Sequence, residues 1–292
     1  MRVGTHDGTF HADEAFAVAA LRLAHGPVEI IRTRDRERLA ACDVRVDVGL
    51  RDDPAAGDFD HHQKGGAGER PNGIRYASFG LVWRAIGKRV CGDAAAAARV
   101  DEVLVQGVDA HDTGQTLTRS LIDGIQPMTL SGVVAAMNPR WDEQLPAGGE
   151  DARFAAAVDL AAGVLEREVA GAAAQARATQ LVSDAIARAA DPRLIELDAA
   201  LPWRDAVVGS APAALFVIYP KSSGWGLQAV PREPGSFANR LDLPSAWAGR
   251  SGAELAEVTG VQDAVFCHTG RFIAVAESRE GIAALARQAL DA

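Results

Sequence analysis

Acids and histidines crowd four short stretches of the N-terminal half of the chain. His6, Asp7, His11, Asp13 and Glu14 fall within "THDGTFHADE", and Asp47 stands in "VDVG". Asp60, His61 and His62 are consecutive in "DFDHHQ", and Asp109, His111 and Asp112 share "GVDAHD". Carboxylates and imidazoles are hard to borderline donors, so a mixed set without cysteine suits Mn²⁺, Mg²⁺ or Zn²⁺. A carboxylate shared by two cations would make a two-metal site, which lowers the pKa of a water and steadies charge on a phosphoryl group. Each group alone also has a structural explanation. Asp47 can cap a turn. Asp7 and Glu14 can serve a helix N-terminus through the macrodipole. Asp109 and Asp112 can end a helix. The conjunction of four such patches in one domain favours a site.

The elements that must position these groups read as alternating strands and helices. "RVGTH", "PVEIIRTR" and "DVRVDVG" are strand candidates. "DEAFAVAALRLA", "YASFGLVWRAIGKRV" and "AAAAARVDEVLVQGVDAHD" carry apolar residues at helical spacing. This alternation predicts an α/β domain with a mainly parallel sheet. Polar residues at the carboxyl ends of such strands gather in one crevice. His6, Asp47 and Asp60 all fall at or near predicted strand ends. Residues 139–152 are rich in Pro, Gly and acids and read as a loop, and about 151–190 reads as one long Ala-rich helix. After Asp191, "LIELD", "ALFVIYP", "GWGLQAVP" and "RFIAVAES" are strands, while "SGAELAEVTG" and "REGIAALARQAL" are amphipathic helices. The expected organisation is a metal-binding catalytic domain over 1–145, a linker and long helix over 146–190, and a smaller α/β substrate-binding domain over 191–292.

The 292 residues suffice for two domains, and with aromatics at only 5% the core must be aliphatic. A net charge of −9 argues against a general nucleic-acid coat protein, because non-specific affinity comes from Lys and Arg meeting phosphates. Cys42, Cys91 and Cys267 are odd in number and scattered, which predicts neither disulfides nor a thiolate zinc site and fits a reducing, cytoplasmic compartment. The polar, acidic N-terminus is not expected to be a secretory leader. No apolar run is long enough to span a bilayer.

Asp60-His61-His62 resembles the signature of the DHH phosphoesterase superfamily, which includes RecJ-type nucleases and manganese pyrophosphatases. "GTHDGTFHADEA", "DFDHHQ", "GVDAHDTG" and "LQAVPREPGSFANRLDLPSAW", in that order, resemble the Myg family of metal-dependent hydrolases, whose eukaryotic members are described as 3′–5′ RNA exonucleases. The resemblance runs from about residue 2 to about 290. It implies a two-lobed α/β fold and two divalent cations, Mn²⁺ favoured and Mg²⁺ the alternative. By position His11, Asp13, Asp47, Asp60 and Asp109 look like ligands, with His6 a further one and Asp47 and Asp60 nearest to both metals. Asp60, His61 and His62 form the catalytic motif, and one of the histidines would face the phosphate. The pattern departs from the superfamily at His11, where many members have Asp, and at Asp7, where an amide residue is expected.

The resemblance also implies a second lobe that closes over the cleft and binds the anionic part of the substrate. Arg232, Arg240, His268 and Arg271, with Lys221, are its candidates, and Asp112 joins His61 and His62 on the substrate side. In "CHTGRF", backbone N–H groups around the glycine would approach an oxyanion. Trp203, Trp225 and Phe237 could stack a base, although core packing suits the two tryptophans better. The expected activity is metal-dependent 3′–5′ hydrolysis of RNA or short oligonucleotides. Two alternatives are a small nucleotide or phosphoanhydride hydrolase and a non-catalytic metal-binding regulatory module. The Ala-rich helix makes a homodimer plausible.

Overall fold

The computed structural model describes residues 1–292, which divide into two compact units, Met1–Ala174 and Gln175–Ala292. The N-terminal unit begins with β1 (Arg2–Thr5), α1 (Ala12–His25), β2 (Glu29–Arg32), α2 (Arg36–Ala40), β3 (Val44–Val46), β4 (Asp52–Asp53) and β5 (Asp58–Phe59). It continues with α3 (Ser78–Cys91), α4 (Ala94–Val100), a π-helical turn (Asp101–Val105), α5 (Gln106–Asp112) and α6 (Leu130–Ala135). Its sheet has the order β2-β1-β3-β5-β4, parallel except for the edge strand β4.

The order places β2 and β3 on opposite sides of β1. Crossovers therefore leave β1 and β3 in opposite directions, which opens a crevice at their carboxyl ends. Helix α1 is packed on nearly every face. Ala12 to Leu21 are all buried, and their small side chains let α3, α5 and α6 approach closely. Phe16, Phe79, Leu81 and Val82 fill the space between α1 and α3. Burying such side chains contributes about 1.5–3 kcal/mol each relative to exposure, so the frame that carries the crevice is rigid.

Helix α7 (Gly149–Arg188) is continuous across the boundary between the units. The C-terminal unit then runs β6 (Leu194–Glu196), α8 (Arg204–Ser210), β7 (Phe216–Pro220), β8 (Trp225–Ala229), α9 (Gly252–Thr259), β9 (Ala264–Cys267), β10 (Ile273–Ala276) and α10 (Arg279–Asp291). Its sheet has the order β6-β7-β8-β10-β9, with only β6 and β7 parallel. The protein is thus α/β, with two mixed sheets. No helix is long and apolar enough to cross a membrane.

Candidate metal centre

Three adjacent parallel strands deliver the first residues of the site. Thr5, Val46 and Phe59 end β1, β3 and β5, and His6, Asp47 and Asp60 follow immediately. The register pairs Gly4 with Arg45 and Val46 with Phe59, so the three polar residues lie side by side along the sheet's carboxyl edge. Neighbouring strands are about 4.8 Å apart, close enough for their side chains to share a small ligand.

Asp47 is the hinge of the arrangement. Its φ of 55° lies in the left-handed region that Asp tolerates better than most residues, and Leu50 follows with φ 59°. This turn aims the two carboxylate oxygens of Asp47 at different neighbours. Oδ2 lies 3.3 Å from His6 Nε2, which is also 3.1 Å from Glu14 Oε1. Oδ1 lies 3.3 Å from His62 Nδ1 and 3.5 Å from His61 Nδ1, and accepts a hydrogen bond from Ser78 Oγ at 3.2 Å. Asp60 holds the other wall. Its Oδ2 accepts from Leu50 N at 2.6 Å and its Oδ1 from His62 N at 3.0 Å, with His62 Nδ1 2.8 Å away.

Asp13, fully buried, accepts hydrogen bonds from Ser78 N and Phe79 N at the start of α3. His61 then spans from Asp13 and Asp47 to Asp112, whose Oδ2 lies 3.1 Å from His61 Nε2. His61 and His62 stack with ring centroids 4.1 Å apart.

The donors form three groups whose ligand atoms lie within 4.8 Å of one another: His6, His11, Glu14 and Asp47; Asp47, Asp60, His61 and His62; and Asp13, His61 and Asp112. Asp47 belongs to the first two groups and His61 to the last two. Glu14 Oε2 is buried with no hydrogen-bond partner. An orphaned carboxylate oxygen beside two imidazoles and a second carboxylate fits a divalent cation.

The protonation states point the same way. Burial would lower His6, but hydrogen bonds to Asp47 and Glu14 outweigh it and push it up to about 10. His62 rises to about 9, chiefly through Asp47, with Asp60 adding to the effect against burial. Asp13 is pushed well above the carboxylate range by burial and by the charges of Asp112, Asp47 and Asp109. Asp47 is depressed because its histidine partners outweigh its burial. The carboxylates thus gather positive charge around them, here as protons on imidazoles. A cation at these atoms would replace those protons.

Two expected residues belong elsewhere. Asp109 joins none of the groups. Its carboxylate accepts from Arg70 Nη1 at 2.8 Å and from Gly80 N at 2.9 Å, and a Cβ on Gly80 would meet Asp109 Oδ2 at 1.9 Å. The acid that reaches His61 is Asp112, one turn further along α5. Arg240 was expected on the substrate side. Its guanidinium instead donates to the carbonyls of Val208, Ala211, Pro212 and Ala214, tying down the loop between α8 and β7. In "CHTGRF" the N–H of Gly270 donates to His268 Nδ1 and that of Arg271 to His268 O, so neither is free for an oxyanion. The Arg271 guanidinium pairs with Asp242 at 2.8 Å, and Arg232 Nε donates to Asn239 O. Trp203 is buried, Trp225 is partly buried and Phe237 is fully exposed.

Other roles emerge only from the structure. Glu14 joins the first donor group. Asn138 brackets the backbone of Phe10, accepting from Phe10 N at 2.9 Å and donating to Phe10 O at 2.7 Å, and so sets the loop that carries His11. Arg34 donates to Asp7, and Arg34 and Arg36 line a cavity of 720 Å³ with His6, His11, Asp47 and His62. A second cavity of 240 Å³ lies against Asp13, His111 and Asp112. His11, Asp47 and His62 are common to both cavities.

Fold and site together define an α/β protein with a buried carboxylate–imidazole centre suited to divalent cations. The chain belongs to the uncharacterised protein family UPF0160, whose MYG1_exonuc model matches residues 2–290. It is 35% identical to the MYG1 exonuclease of Homo sapiens, over 99% of this chain and 85% of that protein. It is 31% identical to the MYG1 protein of Schizosaccharomyces pombe, over 100% of this chain and 98% of that one. The MYG1 protein of Chlamydia muridarum is also 31% identical, over 95% of this chain and 92% of that protein. No solved structure matches the chain.

Proposed function

We propose that this protein is a metal-dependent phosphohydrolase of the DHH phosphoesterase type, a 3′–5′ exonuclease acting on RNA or short oligonucleotides. The observation that carries the reading is Asp47, whose two oxygens face two different donor groups. The exonuclease names of its relatives supply the reaction class. The residues that would hold one cation are His6, His11, Glu14 and Asp47; those for a second are Asp47, Asp60 and His61, with Asp13 and Asp112 against His61. Divalent cations, Mn²⁺ favoured, supply Lewis acidity for a phosphoryl group and lower the pKa of water.

The chain's own groups do the rest. Asp60 fixes His62 through Nδ1 and the backbone, so the half-exposed ring presents Nε2 to the cavities, where it can donate to a phosphate oxygen. Ser78 Oγ holds Asp47, and Ser78 N holds Asp13, so the start of α3 locks two carboxylates in place. Arg34 and Arg36 supply positive charge on the wall next to His6 and suit a polyanionic strand. In the C-terminal unit Arg232, His268 and Arg271 are the proposed anion contacts, within a substrate-binding part over about 191–292. Residues 1–145 then form the catalytic part, joined to it through 146–190.

A small nucleotide is the second reading, favoured by the 240 Å³ volume beside Asp13 and Asp112 and by the net charge of −9. Metal-stripped protein with Mn²⁺ or Mg²⁺ restored should release mononucleotides from 3′-labelled RNA, more slowly at high salt. Turnover of only a dinucleotide or pyrophosphate would select the small-substrate reading. No turnover of any would refute both.

A further inference from the structure

The 240 Å³ cavity beside Asp13 and Asp112 has a neighbour. Val108, His111 and Ser131 form a wall that it shares with a larger cavity of 690 Å³. The larger volume falls within the range of small-molecule sites, about 300–1,000 Å³. Its lining runs along one face of the helix through α5 and returns on the segment before α6, including Leu104, Val108, Leu117 and Met128. No Asp, Glu, Lys or Arg lines it, in a chain that is 24% charged. Hydroxyls of Thr116 and Thr118 and the amide of Gln126 supply hydrogen-bonding edges instead. Such a lining rejects a phosphate or an ionic peptide and suits a flat, neutral, apolar group with polar edges.

Gly107 is the second observation. It lies inside the continuous helical run from Ala94 to Asp112, where glycine costs stability relative to alanine. Nothing in the protein requires it. Its φ is not left-handed, and a Cβ would meet no atom within 4 Å. The position faces the 690 Å³ cavity. A bare backbone there keeps space open for something outside the chain.

We infer that this cavity is the subsite for the terminal nucleobase of the substrate, whose phosphate lies at the adjoining metal centre. The inference rests on the nuclease reading and deepens it, because it places base recognition in the N-terminal unit, between α5 and the segment preceding α6. His111, exposed on the shared wall beside Asp112, stands where the ribose would join base to phosphate.

The test is equilibrium binding to the full chain in Mn²⁺ buffer, comparing adenosine 5′-monophosphate with ribose 5-phosphate. Burying the base against the aliphatic lining should make the wild type bind the nucleotide about 10-fold tighter or more. Gly107→Leu should fill the cavity and reduce that ratio to about 2 or less, while Gly107→Ala keeps most of it. Both substitutions favour the helix, so neither variant should melt below the wild type. Equal binding of the two ligands by the wild type, or an unchanged ratio in Gly107→Leu, would overturn the subsite alone. An unchanged ratio with an altered oligomeric state would assign the cavity to a second copy of the chain. Binding of neither ligand by a folded, metal-loaded wild type would overturn the nucleotide reading and the subsite together.

Discussion

Removing Arg70 tests the separation of Asp109 from the metal centre. The Arg70 side chain is 5% exposed, donates to Asp109 at 2.8 Å and to both oxygens of Asp101 at 2.7 and 3.0 Å, and stacks on Tyr76. Arg70→Ala would leave Asp109, with no exposed surface, holding only the Gly80 N–H. Breaking a buried pair by deleting one partner costs about 3–5 kcal/mol, a fifth or more of the stability of an ordinary domain, about 5–15 kcal/mol. The pH dependence has a definite sign. Burial already pushes Asp109 up to about 7, with Arg70 holding it down, so the variant's value lies higher still. The folded state then keeps the proton to higher pH than the unfolded chain. Stability is fully present below the ordinary carboxylate pKa and is lost as pH rises through the folded value. Urea unfolding at about pH 6 and about pH 8.5 should therefore show the larger loss at the higher pH. A loss under about 1 kcal/mol at both pH values would refute the claim that Arg70 is the partner that holds Asp109 in place.

Four further outcomes follow from the same geometry. Gly80→Ala should destabilise the N-terminal unit by about 1–3 kcal/mol, read by thermal melting, since its Cβ would overlap the Asp109 carboxylate. Arg240→Ala should lower stability by about 2–3 kcal/mol in urea unfolding while leaving phosphate affinity in place, because its four partners are backbone carbonyls. Metal-free protein should lose Tm steadily above about pH 7, since His6 and His62, raised to about 10 and 9, stabilise the fold only while protonated; saturating Mn²⁺ should flatten that slope. Mn²⁺ binding should release protons and tighten as pH rises, measurable by calorimetry in buffers of different ionisation enthalpy.

Much of the site was legible because strand ends are. Short β-branched runs ending in His6 and Asp47 set two of the parallel strands, Asp60 closes a third of only two residues, and parallel strands gather their carboxyl ends. The long helix read as about 151–190 runs from Gly149 to Arg188. Where sequence reasoning stopped short, the deciding contact is distant in the chain. Glu14 looks like any acid in a first helical turn, and only its unpartnered oxygen beside His6 sets it apart. Asp109 and Asp112 sit a turn apart on one helix, and both were read as candidate acids. The choice between them is made by Arg70 and Gly80, 39 and 29 residues upstream of Asp109. Arg240 has no local feature that distinguishes a substrate contact from a loop tie. Its carbonyl partners come from residues 208–214. Strands β4 and β9 and helices α6 and α8 were missed. The first two are only 2 and 4 residues long and the helices only 6 and 7, too short for a periodic signal.

The most direct test of the account is the number of Mn²⁺ ions bound per chain by metal-stripped protein, wild type against Asp47→Asn. Asparagine tolerates the left-handed backbone of that position and removes the charge and one acceptor oxygen. The account predicts two ions in the wild type and, in the variant, affinity weakened by more than about 100-fold at one or both sites. Two ions bound with unchanged affinity by Asp47→Asn, or none by the wild type, would contradict it.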